Sequence, residues 1–189
     1  MEKGRKSLRM MILCAMFAAV TAILAQLEIP LPIVPISGQT LAVGITATIL
    51  GSRYGALAMV CYMALGAIGL PVFAEAKGGL AILIGPTGGY IIGFILAAYF
   101  TGLILEKTMH TFAMALVANV VGMIVTLICG TIQLKIVLSL SWPEAMAAGV
   151  YPFIVVGLIK AFLASWIGIE VRKRLIHARL LNQVEEASA

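Results

Sequence analysis

The chain has 189 residues, of which 62% are apolar and 11% charged, with a formal net charge of +5. So little charge does not coat a water-facing surface, which excludes an ordinary soluble domain and makes lipid the expected solvent. A nucleic-acid partner is excluded too, because the basic residues gather near the two ends, away from the aromatics.

Six apolar runs follow one another in chain order. The first, 8–27, comes after Lys3-Gly4-Arg5-Lys6-Ser7, a start like the basic region of a signal peptide. It is nevertheless long enough to cross the hydrocarbon, which takes about 20 helical residues, and is read as a retained first helix. Glu28-Ile29-Pro30-Leu31-Pro32-Ile33-Val34-Pro35 ends it, since proline removes amide donors and pushes the preceding residue toward extended backbone. Runs 40–52 and 54–70 are separated only by Gly51-Ser52-Arg53-Tyr54-Gly55, so they should be antiparallel neighbours. Gly69-Leu70-Pro71 closes the third. The fourth, 84–106, begins in Gly85-Pro86-Thr87-Gly88-Gly89-Tyr90, inside a charge-free stretch from Gly78 to Leu105. Irregular backbone of this kind is tolerated at membrane depth only where it is buried in protein or lines a cavity. Runs 111–136 and 150–170 complete the set, joined through Trp142-Pro143-Glu144 and Tyr151-Pro152.

The expected fold is an all-α integral membrane protein, a compact bundle of six transmembrane helices forming one domain over 1–189. Six crossings put both termini on one side. Lys3, Arg5, Lys6, Arg9, Arg53, Lys107, Arg172, Lys173, Arg174 and Arg179 then share that side, against Lys77 and Lys135 on the other. The positive-inside bias makes the termini cytoplasmic and the protein a multi-pass component of the cell membrane. Arg172 to Ala189 is read as a helix extension with a frayed tail.

Lys160 is the basic residue left over, two to three turns into the sixth run. A charge at depth costs a few kcal/mol and usually faces a bundle interior or a wet cavity. The alternative is that it snorkels to the interface along its aliphatic stem. Gln39 follows the proline-rich loop, where its amide offers both a donor and an acceptor to a buried heterocycle, whereas Asn119 reads as a bridge between helices. Glu75 and Lys77 are either part of a site or simply solvated. Phe73, Tyr90 and Tyr151 lie near the same outer ends, as pocket walls or as part of an aromatic belt. The glycines at 78, 79, 88 and 89 suit a close backbone approach to a ligand. Ala15, Ala18, Ala19 and Ala22 form a small-residue stripe on the first helix, suited to close contact with another helix, inside this bundle or in a partner.

Several chemistries are missing. Asp is absent, Cys14, Cys61 and Cys129 are far apart, and His110 and His177 have no neighbours at ligand spacing, so neither metal nor cofactor is expected. There is no phosphate-binding Gly-x-x-x-x-Gly-Lys-Ser/Thr loop and no nucleophile beside a base. The chain reads as a binding or transport protein, not an enzyme.

Pro35-x-x-x-Gln39-Thr40, Gly69-Leu70-Pro71-Val72-Phe73, Gly78-Gly79-Leu80 leading to Gly85-Pro86-Thr87-Gly88-Gly89-Tyr90, and Pro152-Phe153 with Lys160 together resemble the BioY family, the biotin-binding S components of energy-coupling factor (ECF) transporters. The resemblance covers most of the chain. It implies that biotin is captured outside the cell for ATP-driven uptake, with a transmembrane coupling protein and two ABC-type ATPases as partners. It gives the alanine stripe a docking role toward the coupling protein, Lys160 the ureido carbonyl, Gln39 a ureido hydrogen bond, and Phe73, Tyr90 and Tyr151 the pocket wall with Gly79. Many BioY sequences carry Asp three residues before the lysine, where this chain has Gly157. The rival readings are an S component for another vitamin, such as thiamine or riboflavin, and a structural membrane subunit that binds no small molecule.

Overall fold

A computed structural model describes residues 2–178 and 180–181, with side chains from Ser7 onward. Arg179, the tail 182–189 and the side chains of Lys3, Arg5 and Lys6 lie outside the described residues. The apolar runs become α1 (Glu2–Ala25), α2 (Gln39–Ala67), α3 (Leu80–Ile84), α4 (Gly88–Lys107), α5 (Phe112–Val137), α6 (Trp142–Gly149) and α7 (Tyr151–His177). Five helical runs are long and apolar enough to cross a membrane. The only strands among the described residues are β1 (Glu28–Ile29) and β2 (Ile36–Ser37), an antiparallel pair that folds the proline-rich loop back on itself.

The second and third predicted runs form one element, α2, broken at a single residue. Gly51 has φ 80° and ψ −173°, a conformation open essentially only to glycine. The chain reverses there: the Gln39 amide lies 2.6 Å from the Tyr62 hydroxyl, although 23 residues of straight helix would hold them about 35 Å apart. The antiparallel pairing inferred from sequence therefore holds, with a one-residue turn instead of the five-residue connection expected. The first arm, 39–50, is buried on every side from Ala42 to Leu50, packed among α1, the second arm, α4 and α7. A helix apolar all round belongs in the middle of a bundle, and this one forms its axis.

Close approach between α4 and α5 has its own sequence basis. A methyl on Gly89 would stand 2.5 Å from the Cys129 carbonyl oxygen, and one on Gly93 would stand 3.2 Å from Thr126 Cα. These glycines bring helix to helix. The close backbone approach suggested for Gly78, Gly88 and Gly89 toward a ligand is instead toward protein: Gly89 faces Cys129 and Gln133 of α5, Gly88 sits on the Leu83 carbonyl beside Gln133, and Gly78 sits on the Leu70 carbonyl. Gln133 completes the joint by donating to the carbonyls of Leu83 (2.7 Å) and Gly85 (2.8 Å), which fixes α3 and the glycine-rich turn.

The bundle has two unlike ends. At the hinge end lie Gly51, the 108–111 connection and the last turns of α7. At the lid end lie the 26–38 loop, the 68–79 loop and α6. The 142–149 stretch was expected as a connection and is helical instead, started by a capping box in which the Ser141 amide and hydroxyl both donate to Glu144.

Candidate functional site

The lid end encloses a cavity bounded by the first arm of α2, α4, α5 and α7, roofed by Val34, Pro35 and Ser37. Its volume of about 100 Å³ is several times what a single water needs, so it is more than a packing void. Val43, Ile91, Phe94, Met123, Leu127, Phe153 and Val156 make apolar walls, with Gln39, Thr40, Thr87, Thr101, Asn119, Thr126 and Lys160 as the polar points. An apolar pocket with few placed polar groups is the usual form of a small-molecule site.

Lys160 faces this cavity from α7 and does not snorkel. Its ammonium donates to the Ser37 carbonyl (2.7 Å) and the Thr40 hydroxyl (3.2 Å). It forms no ion pair with any described residue. An ammonium carries three donors, so one remains for a ligand acceptor. The residues around Lys160 fall on its face by helical spacing: Phe153 is seven residues before it, Val156 four, Gly157 three and Ala164 four after, and all line the cavity. That spacing was readable and would have found Phe153, a wall residue the sequence argument did not assign.

Gln39 also lines the cavity, yet its amide is largely occupied within the protein. Ser37 Oγ donates to its Oε1 (2.6 Å), its Nε2 donates to Tyr62 Oη (2.6 Å), and Tyr62 in turn donates to the Val72 carbonyl (2.8 Å). One N–H and one lone pair are left over. The relay reaches Phe73, whose ring packs edge-to-face on Tyr62 at 5.6 Å between centroids. Phe73 thus supports the site from behind, buried against Gly66, without lining the cavity. Tyr90 does line it, its hydroxyl tied to the Gly149 carbonyl (2.9 Å) and its ring 6.1 Å from that of Phe153.

Two further candidates stand away from the cavity. Tyr151 is 60% exposed at the start of α7, and Gly79, at φ 99°, makes the turn into α3 without lining the cavity. Position 157 is occupied from another direction, because a side chain there would run into Met123. Asn119 bridges helices as expected, donating to Thr48 Oγ1 and Ser165 Oγ at 3.0 Å each. Among the described residues no group of three metal-ligating side chains forms.

The alanine stripe divides. Ala18 is fully buried in the core while Ala15 and Ala19 face outward and Ala22 sits at the edge. Spacing of three and four residues puts them on neighbouring faces, and only the fold shows which face is covered.

The sequence matches the BioY family model over residues 1–177. The chain belongs to the BioY family. This BioY chain is 39% identical over 166 residues to the biotin transporter BioY of Thermotoga maritima, covering 88% of this chain and 97% of that one. It is 38% identical over 165 residues to biotin transporter BioY2 of Lactococcus lactis, covering 87% and 91%. Its fold resembles the crystal structure of the S-component for biotin from an ECF-type ABC transporter, with a TM-score of 0.82, 28% identity and coverage of 89% of this BioY chain and 93% of that one.

Proposed function

We propose that this BioY chain is the biotin-binding S component of an ECF transporter, capturing biotin from outside the cell for ATP-driven uptake. The observation that carries this is the free ammonium donor of Lys160 inside a cavity with apolar walls and a few neutral polar points. Biotin fits that chemistry: its fused rings are apolar except for a ureido group with one carbonyl and two N–H donors. Lys160 takes the carbonyl, Tyr90 walls the ring system, and Gln39 both holds the Ser37 hydroxyl and offers its remaining N–H. The names of the relatives support biotin over thiamine or riboflavin.

The α2 hairpin supports six crossings, counting its two arms separately. Both ends of the described chain then share the hinge end with Arg53, Lys107 and Arg172, which the positive-inside bias makes cytoplasmic. Binding, not catalysis, is the chain's part, and the coupling protein and two ABC-type ATPases supply the energy. Ala15 and Ala19 supply the docking face.

Isothermal titration of the purified protein should give one-to-one binding of biotin and no heat with thiamine or riboflavin. Clear binding of another vitamin with no biotin signal overturns the assignment. Tryptophan separates the two alanine faces. Ala19→Trp should abolish assembly with the coupling protein and leave biotin affinity intact, whereas Ala18→Trp, which overpacks the core, should lower the thermal midpoint. Equal loss of stability from both variants would return the outward face to a packing role.

A further inference from the structure

Asn119 does more than join helices. It is 5% exposed and lines the floor of the cavity. The two hydroxyls beside it have already committed their protons: Thr48 Oγ1 donates to the Gly44 carbonyl (2.8 Å) and Ser165 Oγ to the Ala161 carbonyl (2.7 Å). Both hydroxyls must therefore accept, which fixes the amino group of Asn119 toward them, as in its 3.0 Å bonds to each. The carbonyl Oδ1 is turned the other way, over Gly44, where a methyl added to the glycine would stand 2.5 Å from it. No described residue donates to this oxygen.

Among amide and carboxylate oxygens, the alternatives are partly engaged or absent. Gln39 Oε1 receives Ser37 Oγ, no carboxylate lines the cavity, and Met123 fills the space beside Gly157. We propose that Asn119 Oδ1 is the acceptor for a ureido N–H of the ligand, a neutral oxygen in the role that an aspartate three residues before the lysine would otherwise take. The placement suits a cyclic urea. Lys160 meets the first arm of α2 at Thr40 and Asn119 meets it at Gly44, four residues further on and so about one turn, roughly 5–6 Å, deeper. A cyclic urea projects its carbonyl and an N–H outward from neighbouring ring atoms, and each reaches its partner through a hydrogen bond of about 2.9 Å. Gly44, lacking a side chain, leaves the passage to Oδ1 open.

The inference rests on the biotin reading, and the test separates the two. Biotin and its two mono-N-methyl ureido derivatives are titrated against the wild-type protein, which needs no variant to fold. One isomer should bind at least about tenfold more weakly, because its methyl replaces the donated proton and leaves a buried acceptor unpaired. The same comparison in Asn119→Leu should erase that difference between isomers. Gly44→Ala, whose methyl would stand 2.5 Å from Oδ1 and so obstruct it without removing the Asn119 amide, should erase it too where the leucine variant does not fold. Wild-type protein that binds biotin and both methyl isomers equally, or a penalty that persists in the variants, overturns the assignment of Asn119. Wild-type protein that binds no biotin overturns the function itself.

Discussion

The hinge end and the lid end of this bundle are held by different forces. At the hinge, charges sit on helix termini. Glu106 of α4 accepts from the Ser52 amide and hydroxyl (2.7 Å each), at the N-terminus of the second arm of α2. Arg172 of α7, 6% exposed, donates to the Ile49 carbonyl at the C-terminus of the first arm. Each charge has the sign that its helix end favours. At the lid, the fastening is mostly neutral and made by loops. Gln26 bonds the Phe73 carbonyl and the Ala76 amide (3.1 Å each), Glu28 accepts from the Glu75 amide (3.0 Å), and Glu75 and Ala76 hold positive φ of 59° and 50°. Non-glycine residues in that region store strain. The Glu75–Lys77 ion pair there is exposed and contributes little. The end pinned by charges keeps the bundle together, and the strained, loop-built end carries the cavity. A protein that must admit and release a solute does so most easily where its loops are least stable.

The comparison predicts that stability and affinity can be separated by mutation. The largest effect should come from Gly51→Ala at the hinge, which imposes backbone strain of about 1–3 kcal/mol and pushes Glu106 off the Ser52 amide, a cap contributing about 1 kcal/mol more. The thermal midpoint in detergent should fall steeply while folded protein still binds biotin at near wild-type affinity. A matching fall in affinity would show that the ends are coupled. Next comes Lys160→Met at the other end, where loss of a charge-assisted bond should weaken biotin binding by about 1.5–3 kcal/mol. The midpoint without ligand should stay nearly constant, and unchanged affinity in calorimetry would remove Lys160 from the site.

The smallest effect is a pH dependence of the hinge alone. His110, in the 108–111 connection, has a buried Nε2 without a partner. Burial first, and then the neighbouring Arg172, hold its imidazole from 6.5 down to about 4, against a weaker opposing pull from Glu106. Between those values the unfolded chain takes the proton before the folded one does. Stability should therefore be at its plateau above pH 6.5 and decline toward pH 4. The decline should be shallower in His110→Phe, measured by thermal unfolding without ligand. A variant with the same pH profile as wild type would acquit the histidine.

Much of the architecture was legible because lipid imposes a simple rule, that every long charge-free run becomes a helix. α1, α4, α5 and α7 appear where such runs lie, and the glycine at the centre of α2 was visible as a break. α6 was not, since eight residues around Trp142-Pro143-Glu144 look like a connector, although the Ser141–Glu144 capping pair was there to be read. The site divided along similar lines. Lys160 stood out because burying a charge demands a reason. Gln39 was singled out for its two-sided amide, but its engagement with Ser37 and Tyr62 depends on a hairpin that sequence spacing does not reveal. Phe73 and Tyr151 were chosen for lying near the outer ends, and an aromatic there carries no mark of which way it faces. The split of Ala18 from Ala15 and Ala19 has the same origin: periodicity gives a face, while neighbours decide which face is inside.

The first arm of α2 has a consequence for how the chain enters a bilayer. Its 12 residues before Gly51 span about 18 Å as helix, well short of the roughly 30 Å of hydrocarbon. It carries four polar side chains, Gln39, Thr40, Thr46 and Thr48, along that length. Such a segment is a poor substrate for insertion by itself, because lipid offers nothing to its hydroxyls and amide. Joined to the second arm through one glycine, it is delivered as half of a hairpin in which Gln39 meets Tyr62, while Thr48 receives Asn119 and Thr40 receives Lys160 only when α5 and α7 arrive later in synthesis. The axis of the binding cavity is thus completed last, by helices translated after it.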